Sequence, residues 1–178
     1  MTGLKIGVAK VDYTPQTGLP LMGNFRDDYA ARGTHDSLYS RAIVFADSRG
    51  KKVAILSLDI AMLDRDNVSL MRKLISSKTD IAPENIFIAA THTHSGPAAT
   101  GLGLLPKCDN AQIIKFLSKA SIAAVEANKN LREKKLFVGY GTESRLSFNT
   151  FSSFSLMTGW IFNASVKQSI AKPRVTFV

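Results

Sequence analysis

The spacing of apolar and polar residues predicts strands and helices that follow one another along the chain. Residues 4–11 (LKIGVAKV), 41–47 (RAIVFAD) and 52–60 (KVAILSLDI) have the length and β-branched content of strands. Gly50 lies between the second and third runs, in a short segment that suits a tight hairpin turn. These two strands are therefore expected to pair antiparallel.

Helical spacing predicts two helices, and a fully apolar run predicts a strand between them. Apolar residues recur three and four positions apart from Asp64, a candidate N-cap, to about Ser77, and again through residues 110–128. Residues 86–90 (IFIAA) contain no polar side chain, which is typical of a central strand covered on both faces. A last strand is expected at residues 135–140 (KLFVGY).

Length and composition fit a single folded domain. The 178 residues are 45% hydrophobic and 21% charged, which excludes the disordered and collagen-like classes. Together with the element pattern they indicate the α/β fold class, in the form of a mixed layered sheet-and-helix domain. Its core is expected to include four phenylalanines, namely Phe45, Phe87, Phe116 and Phe137.

Disulfide-bonded and membrane-spanning classes do not fit this sequence. Cys108 is the only cysteine, so neither an internal disulfide nor a zinc site with several thiolate ligands can form. No apolar run approaches the roughly 18 residues that cross a bilayer, and Met1 is not followed by a signal-peptide pattern. A cytoplasmic protein is expected if Met1 is the native start, and a secreted or periplasmic protein if a signal peptide precedes it.

The formal net charge of +9 raises the question of an anionic partner. From Lys129 onward, eight Lys and Arg residues face two Glu residues, scattered without the interleaved aromatic residues of a nucleic-acid platform. The distribution is typical of a solvated basic surface, and nucleic-acid binding is not expected. Peripheral contact with anionic lipid headgroups is retained as a hypothesis.

His92 and His94 follow directly on the apolar run 86–90, where ligands bind in open α/β sheets. In an extended segment, residues two apart point their side chains to the same side. Such a pair suits a metal site, or one metal ligand beside a proton-transferring or anion-stabilising group. Two hydrogen-bonded histidines without a catalytic role explain the same pattern, and the spacing alone leaves both interpretations open.

Several motifs resemble those of the neutral/alkaline (non-lysosomal) ceramidases. Residues 90–97 (ATHTHSGP) are similar to the family's ATHTHSGP signature. Residues 6–15 (IGVAKVDYTP) resemble its opening motif, residues 21–23 (LMG) its Met-Gly turn, and residues 35–42 (HDSLYSRA) its HxxLYARA segment. Several motifs in the same order are far more specific than one.

The resemblance implies a zinc-dependent amide hydrolase. It would cleave N-acylsphingosine (ceramide), or another N-acyl amide, into a sphingoid base and a fatty acid. By this resemblance His92 is a metal ligand for zinc, and His94 lies beside the metal and contributes to catalysis. The implied reaction is attack of zinc-activated water on the amide carbonyl, with stabilisation of the resulting oxyanion.

The resemblance runs to about residue 149. Residues 1–149 are interpreted as the N-terminal part of a larger ceramidase-like catalytic domain, and residues 150–178 as a diverged or truncated tail. The family's other zinc ligands, a histidine, a glutamate and a tyrosine, have no counterpart in the chain. Two hypotheses follow: a fragment of an amide hydrolase, or an inactive remnant or non-catalytic α/β module that binds lipid or protein.

Four further residues of the matched segments are interpreted as structural. Asp59 at the end of one predicted strand and Arg41 at the start of another are typical of an ion pair that supports the fold. His35 and Tyr39 are likewise not expected to be catalytic.

Overall fold

The computed structural model describes residues 3–23, 29–101, 106–137, 139–142 and 174–177. The chain divides into two compact units, Met1–Lys134 and Lys135–Val178. The first unit carries the sheet, the helices and the two histidines discussed above, and the second carries a pair of short strands.

A mixed sheet forms the centre of the first unit. Its strands are β1 (Lys5–Asp12), β2 (Tyr39–Ala46), β3 (Lys52–Leu58), β4 (Ile86–Ala90) and β5 (Arg132–Glu133). Their spatial order is β4-β3-β2-β1-β5, with β3 and β4 parallel and every other neighbouring pair antiparallel. A short turn containing Gly50, whose φ is 82°, joins β2 to β3 and confirms the predicted hairpin.

Two helices pack on one face of this sheet. α1 (Arg65–Ser76) lies in the connection between the parallel strands β3 and β4, and α2 (Asn110–Lys129) follows β4. Each helix begins at an aspartate: the Asp64 carboxylate accepts from the Asn67 amide, and Asp109 forms a reciprocal capping box with Gln112. A single turn of 3-10 helix at Pro83–Asn85 leads into β4.

The core lies between the sheet and the helices. Met71 and Ile75 of α1 and Leu117 of α2 pack in one cluster with Leu56 of β3, and all four are fully buried. α2 approaches β1 so closely at Gly7 that a Cβ there would overlap the helix backbone. These contacts confirm the α/β class and the predicted layer of helices over a sheet.

The opposite face of the sheet carries an exposed apolar row. Strand register aligns Val8, Ile43, Ile55 and Phe87 across four neighbouring strands. Val8 is 61% exposed, Ile55 40% and Phe87 60%. The expectation that β4 is covered on both faces is therefore wrong, since β4 is an edge strand of the described sheet and only one of its faces packs against the helices.

The phenylalanines differ from one another in their burial. Phe116 on α2 is buried, as predicted, whereas Phe45 is half-buried because it lies on the uncovered face of the sheet. Phe87 and Phe137 are exposed, at 60% and 73%, and their assignment to the core was wrong. An apolar side chain is buried only if another element covers its side of the strand, and the sequence does not show which side that is.

The second unit contains β6 (Gly139–Thr142) and β7 (Arg174–Phe177), which pair antiparallel. Of the strand predicted at residues 135–140, residues 139 and 140 lie in β6, residues 135–137 join no ladder, and residue 138 lies outside the described residues. Among the described residues, no helix combines the length and apolar character needed to span a bilayer.

Candidate functional site

The two histidines lie on a loop, residues 91–97, that leaves the carboxyl end of β4 and crosses the end of β3. The His92 amide donates to the Ile60 carbonyl at 3.0 Å, which fixes the start of the loop against the residues that follow β3. Farther along, Gly96 approaches the same backbone, because a Cβ at Gly96 would lie 3.2 Å from the Asp59 carbonyl oxygen. The ends of two parallel strands therefore hold this loop, and its position directly after β4 is the one that the sequence predicts.

A second segment, residues 20–23, borders the loop. The Met22 amide donates to the Gly96 carbonyl at 3.1 Å. Gly23 has a φ of 91°, and a Cβ on it would overlap the His94 ring, with ring atoms Cδ2 and Nδ1 at 2.8 Å. Only a hydrogen atom at this position leaves room for the imidazole.

His92 is held in one orientation by its own backbone and by a carbonyl. Its φ is 63°, in the left-handed region, which costs an L-residue about 1–2 kcal/mol. The ring Nδ1–H donates to the Ala61 carbonyl oxygen at 2.8 Å. In the neutral imidazole this bond leaves Nε2 with its lone pair, the arrangement found in histidines that bind metals.

His94 completes a convergent pair. Its Nε2 lies 3.4 Å from Nε2 of His92, the ring centroids are 5.0 Å apart, and the ring planes meet at 74°. Both side chains are exposed. The prediction that the two imidazoles point to the same side is confirmed, but its reason is wrong: His92 is left-handed rather than extended, and the loop's backbone contacts produce the convergence.

The pair fits part of a zinc centre. Nε2 of His92 keeps its lone pair and can bind zinc at about 2.0–2.1 Å, and Nε2 of His94, 3.4 Å from it, would then lie beside the metal. Among the described residues, no group of three or more His, Cys, Asp and Glu side chains gathers around a common point. Any further protein ligands must therefore come from elsewhere.

The charged residues near the site support the fold. Arg41 donates through Nη1 to both carboxylate oxygens of Asp59, at 2.9 and 3.0 Å, and the Tyr39 amide donates to one of them at 2.9 Å. The Tyr13 hydroxyl donates to the Asp59 carbonyl at 2.7 Å, and burial raises the pKa of this phenol. The structural ion pair predicted for Arg41 and Asp59 is confirmed.

His35 contributes to neither of these clusters. Its Nδ1 pairs with the Asp36 carboxylate at 2.8 Å on the surface, and this hydrogen bond raises the pKa of the imidazole. His35 does line a cavity of about 560 Å³ that also reaches Thr93 and Ser95 of the histidine loop. A cavity of this size can hold part of an elongated small molecule.

Sequence reasoning missed two partners of the histidines. Ala61 acts through its carbonyl, and a backbone group leaves no signature in the residue type. Gly23 acts by lacking a side chain. It belongs to the Met-Gly motif at residues 21–23, but the sequence does not show its contact with His94, which is 71 residues away along the chain. A glycine beside a polar loop was the only signal that the sequence offered, and its positive φ is visible only in the structure.

Most of this chain resembles one family of known proteins. The family model "Neutral/alkaline non-lysosomal ceramidase, N-terminal" matches residues 4–153. The neutral ceramidase of Oryza sativa subsp. japonica is 30% identical over 148 residues, covering 76% of this chain and 18% of that protein. The neutral ceramidase of Drosophila melanogaster is 31% identical over 104 residues, covering 57% and 15%. This chain thus spans about a fifth or less of these relatives.

Two solved structures share the fold. The neutral ceramidase from Pseudomonas aeruginosa superposes with a TM-score of 0.64 at 22% identity, over 80% of this chain and 24% of that chain. A structure described as a ceramidase complexed with C2 gives a TM-score of 0.73 at 22% identity, over 99% of this chain and 28% of that chain.

Proposed function

This chain belongs to the neutral/alkaline non-lysosomal ceramidase family, and from that premise we propose that it supplies one side of the zinc centre of an amide hydrolase. His92 is the proposed zinc ligand, and His94 is the proposed catalytic residue beside it. Residues 1–149 would form the N-terminal part of the catalytic domain, and residues 150–178 a diverged tail.

One observation carries the proposal: the Nε2 atoms of two exposed imidazoles converge to 3.4 Å while a carbonyl fixes the tautomer of the first. Two histidines that served only as hydrogen-bonding residues would not require the left-handed backbone at His92 or a glycine beneath His94. Strain of this kind persists where the surrounding structure enforces it, which is common at functional sites.

Each histidine has a separate task in this proposal. His92 donates Nδ1–H to Ala61 and thereby presents Nε2 for coordination. His94, whose Nε2 is 3.4 Å from that nitrogen, would move a proton or stabilise negative charge on the substrate. When bound, zinc supplies a Lewis acid and lowers the pKa of a coordinated water to about 7.

The proposed substrate is ceramide or a related N-acyl amide, and the products are an amine and a fatty acid. Support comes from the relatives' names and from the cavity of about 560 Å³ beside the histidine loop. Peripheral contact with an anionic membrane surface agrees with the chain's net charge of +9.

A second candidate is a non-catalytic module that binds lipid or protein. It is favoured by one observation, namely that the described residues assemble no group of three potential metal ligands. Catalytic zinc ordinarily takes three protein ligands. Metal content and hydrolysis of the purified chain distinguish the two candidates.

The test is zinc titration of the full chain, followed by calorimetry and by the visible spectrum of a Co²⁺-substituted sample. We expect one metal ion to bind per chain. The metal affinity of His92→Ala should be lower by at least about tenfold, because a ligand is lost. His35→Ala is the matched control, because His35 is an exposed histidine paired with Asp36. Equal metal affinity in the three proteins would refute the assignment of His92.

Hydrolysis is measured in parallel with a fluorogenic short-chain ceramide. Turnover that is lost in His94→Ala but retained in Lys73→Gln, an exposed residue of α1 that lines neither cavity, supports the hydrolase. Stoichiometric zinc without turnover supports a partial metal site, and the absence of both supports the non-catalytic module.

A further inference from the structure

A second cavity, of about 390 Å³, lies between the loop that follows β1 and the first half of α2. Its apolar lining includes the buried Phe116 and the half-buried Leu19 and Pro15. Its polar lining includes Lys115 and Lys119, both exposed. The cavity thus joins an apolar surface to a pair of cations, and we call it the lysine cavity.

The two lysines lie on the same side of α2 because they are four residues apart. Neither makes an ion pair or a side-chain hydrogen bond with any described residue. Two other lysines of the same unit are paired with carboxylates: Lys52 contacts Asp80 at 2.7 Å and Lys129 contacts Glu126 at 2.9 Å. The lysine cavity therefore keeps its positive charge available.

One carboxylate lies near this pair. Asp12 accepts hydrogen bonds from the Thr14 hydroxyl and amide, at 2.6 and 2.9 Å, and these bonds lower its pKa, with a smaller contribution from the charge of Lys119. Asp12 keeps its negative charge and partly offsets that of Lys119, but it forms no ion pair with either lysine of the cavity. The local charge stays positive even when the Asp12 carboxylate is counted.

We propose that the lysine cavity binds an anionic amphiphile with a single acyl chain. The first carbons of the chain would pack against Phe116, Leu19 and Pro15, and the carboxylate or phosphate head would lie between Lys115 and Lys119. The volume of about 390 Å³ falls in the range of about 300–1,000 Å³ of small-molecule sites. The lysine cavity adjoins the cavity beside the histidine loop, with which it shares part of its lining at residues 14–17 and Leu19. No residue of the histidine loop lines it, so the proposed binding does not depend on zinc.

The ligand chemistry follows from the combined lining. Inorganic phosphate would use the lysines but leave the apolar surface exposed to water, whereas a neutral detergent would cover that surface but leave the cations unpaired. Only a molecule with both parts satisfies the whole cavity.

The experiment is calorimetric titration of the full chain with sodium decanoate below its micelle concentration. Decyl maltoside and inorganic phosphate serve as the neutral and the non-amphiphilic probes. Lys115→Gln/Lys119→Gln removes both charges, and Lys73→Gln/Lys78→Gln, two exposed lysines on and after α1, is the matched control. Circular dichroism shows whether each variant folds.

We expect one decanoate per chain, with both other probes at least about tenfold weaker. The Lys115/Lys119 variant should lose about tenfold in affinity and the control variant less than twofold. Attaching a nitroxide to the acyl chain should broaden the amide signals of Thr17 and Gln112, which line the cavity.

Three results would overturn the proposal. Equal binding of decyl maltoside would show that the lysines do not select the ligand. Unchanged decanoate affinity in the Lys115/Lys119 variant would place the binding elsewhere. Binding to anionic phosphatidylglycerol vesicles without binding of monomeric decanoate would assign the lysines to a membrane-facing surface instead of a cavity site.

Discussion

Replacement of Gly23 by alanine probes the contact that positions His94. Gly23 has a φ of 91°, and the added Cβ would overlap the imidazole, whose Cδ2 and Nδ1 would lie 2.8 Å away. Carbon atoms in favourable contact are about 3.5–4.0 Å apart. The ring must therefore shift by about 1 Å, which would also change its separation from His92.

The cost of Gly23→Ala has two parts. A positive φ disfavours alanine by about 1–2 kcal/mol, and the loss of glycine's freedom in the unfolded chain returns about 0.4–1 kcal/mol. Forcing extra volume against a packed group adds about 1–3 kcal/mol. We expect Gly23→Ala to lower the free energy of unfolding by about 2–4 kcal/mol.

Gly50→Ala separates the two parts. Gly50 has a φ of 82° but no atom within 4 Å of a built Cβ, so its substitution carries only the backbone cost, about 1 kcal/mol or less. Urea unfolding followed by far-ultraviolet circular dichroism measures both variants. In a His94→Ala background the added Cβ has room. The loss in the free energy of unfolding caused by Gly23→Ala should therefore be about 1–3 kcal/mol smaller than in the wild type.

Two results would refute this reasoning. Equal destabilisation by Gly23→Ala and Gly50→Ala would mean that no contact with His94 resists the new methyl group. An unchanged cost of Gly23→Ala when His94 is alanine would mean that the resistance comes from a different neighbour.

Three further predictions concern stability. Gly7→Ala should destabilise the chain by about 1–3 kcal/mol or prevent folding, because the methyl group would overlap the Ala127 carbonyl, and urea unfolding measures this. Asp109→Ala removes the capping box of α2 and should cost about 1 kcal/mol in the same assay, whereas an unchanged midpoint would contradict the cap. The pKa of Asp12 is lowered from 3.8 to about 2, mainly by the Thr14 hydroxyl, so its contribution to stability is present above pH 3.8 and is lost as the pH falls toward 2. The stability difference between wild type and Asp12→Asn should therefore shrink over that interval, and a constant difference would contradict it.

The elements that local sequence determines were predicted correctly. A glycine at the β2–β3 turn, an aspartate before α1 and the apolar spacing within α2 all act within a few residues, so the hairpin and both helices could be assigned without tertiary information. The position of the histidines after β4 was equally local. The sequence does not show which face of each strand is covered by another element, because the burial of a side chain such as Phe87 depends on elements far away in the chain.

In the histidine site, too, the features set by local sequence were predicted and those set by distant contacts were not. The residue types and their spacing indicated that His92 and His94 share an opening, and the structure confirms the convergence. The backbone that produces it, a left-handed residue fastened to Ile60 and Ala61, is set by the neighbouring strand end. A pattern of alternating residues does not reveal a contact of this kind with a neighbouring strand.

The row of Val8, Ile43, Ile55 and Phe87 affects how the purified chain will behave in solution. The free energy of the system falls when such a surface is removed from contact with water, so two molecules that meet along these rows adhere. Light scattering should rise with protein concentration, and a mild surfactant should reverse it. Dilution series are therefore needed to separate ligand binding from colloidal association.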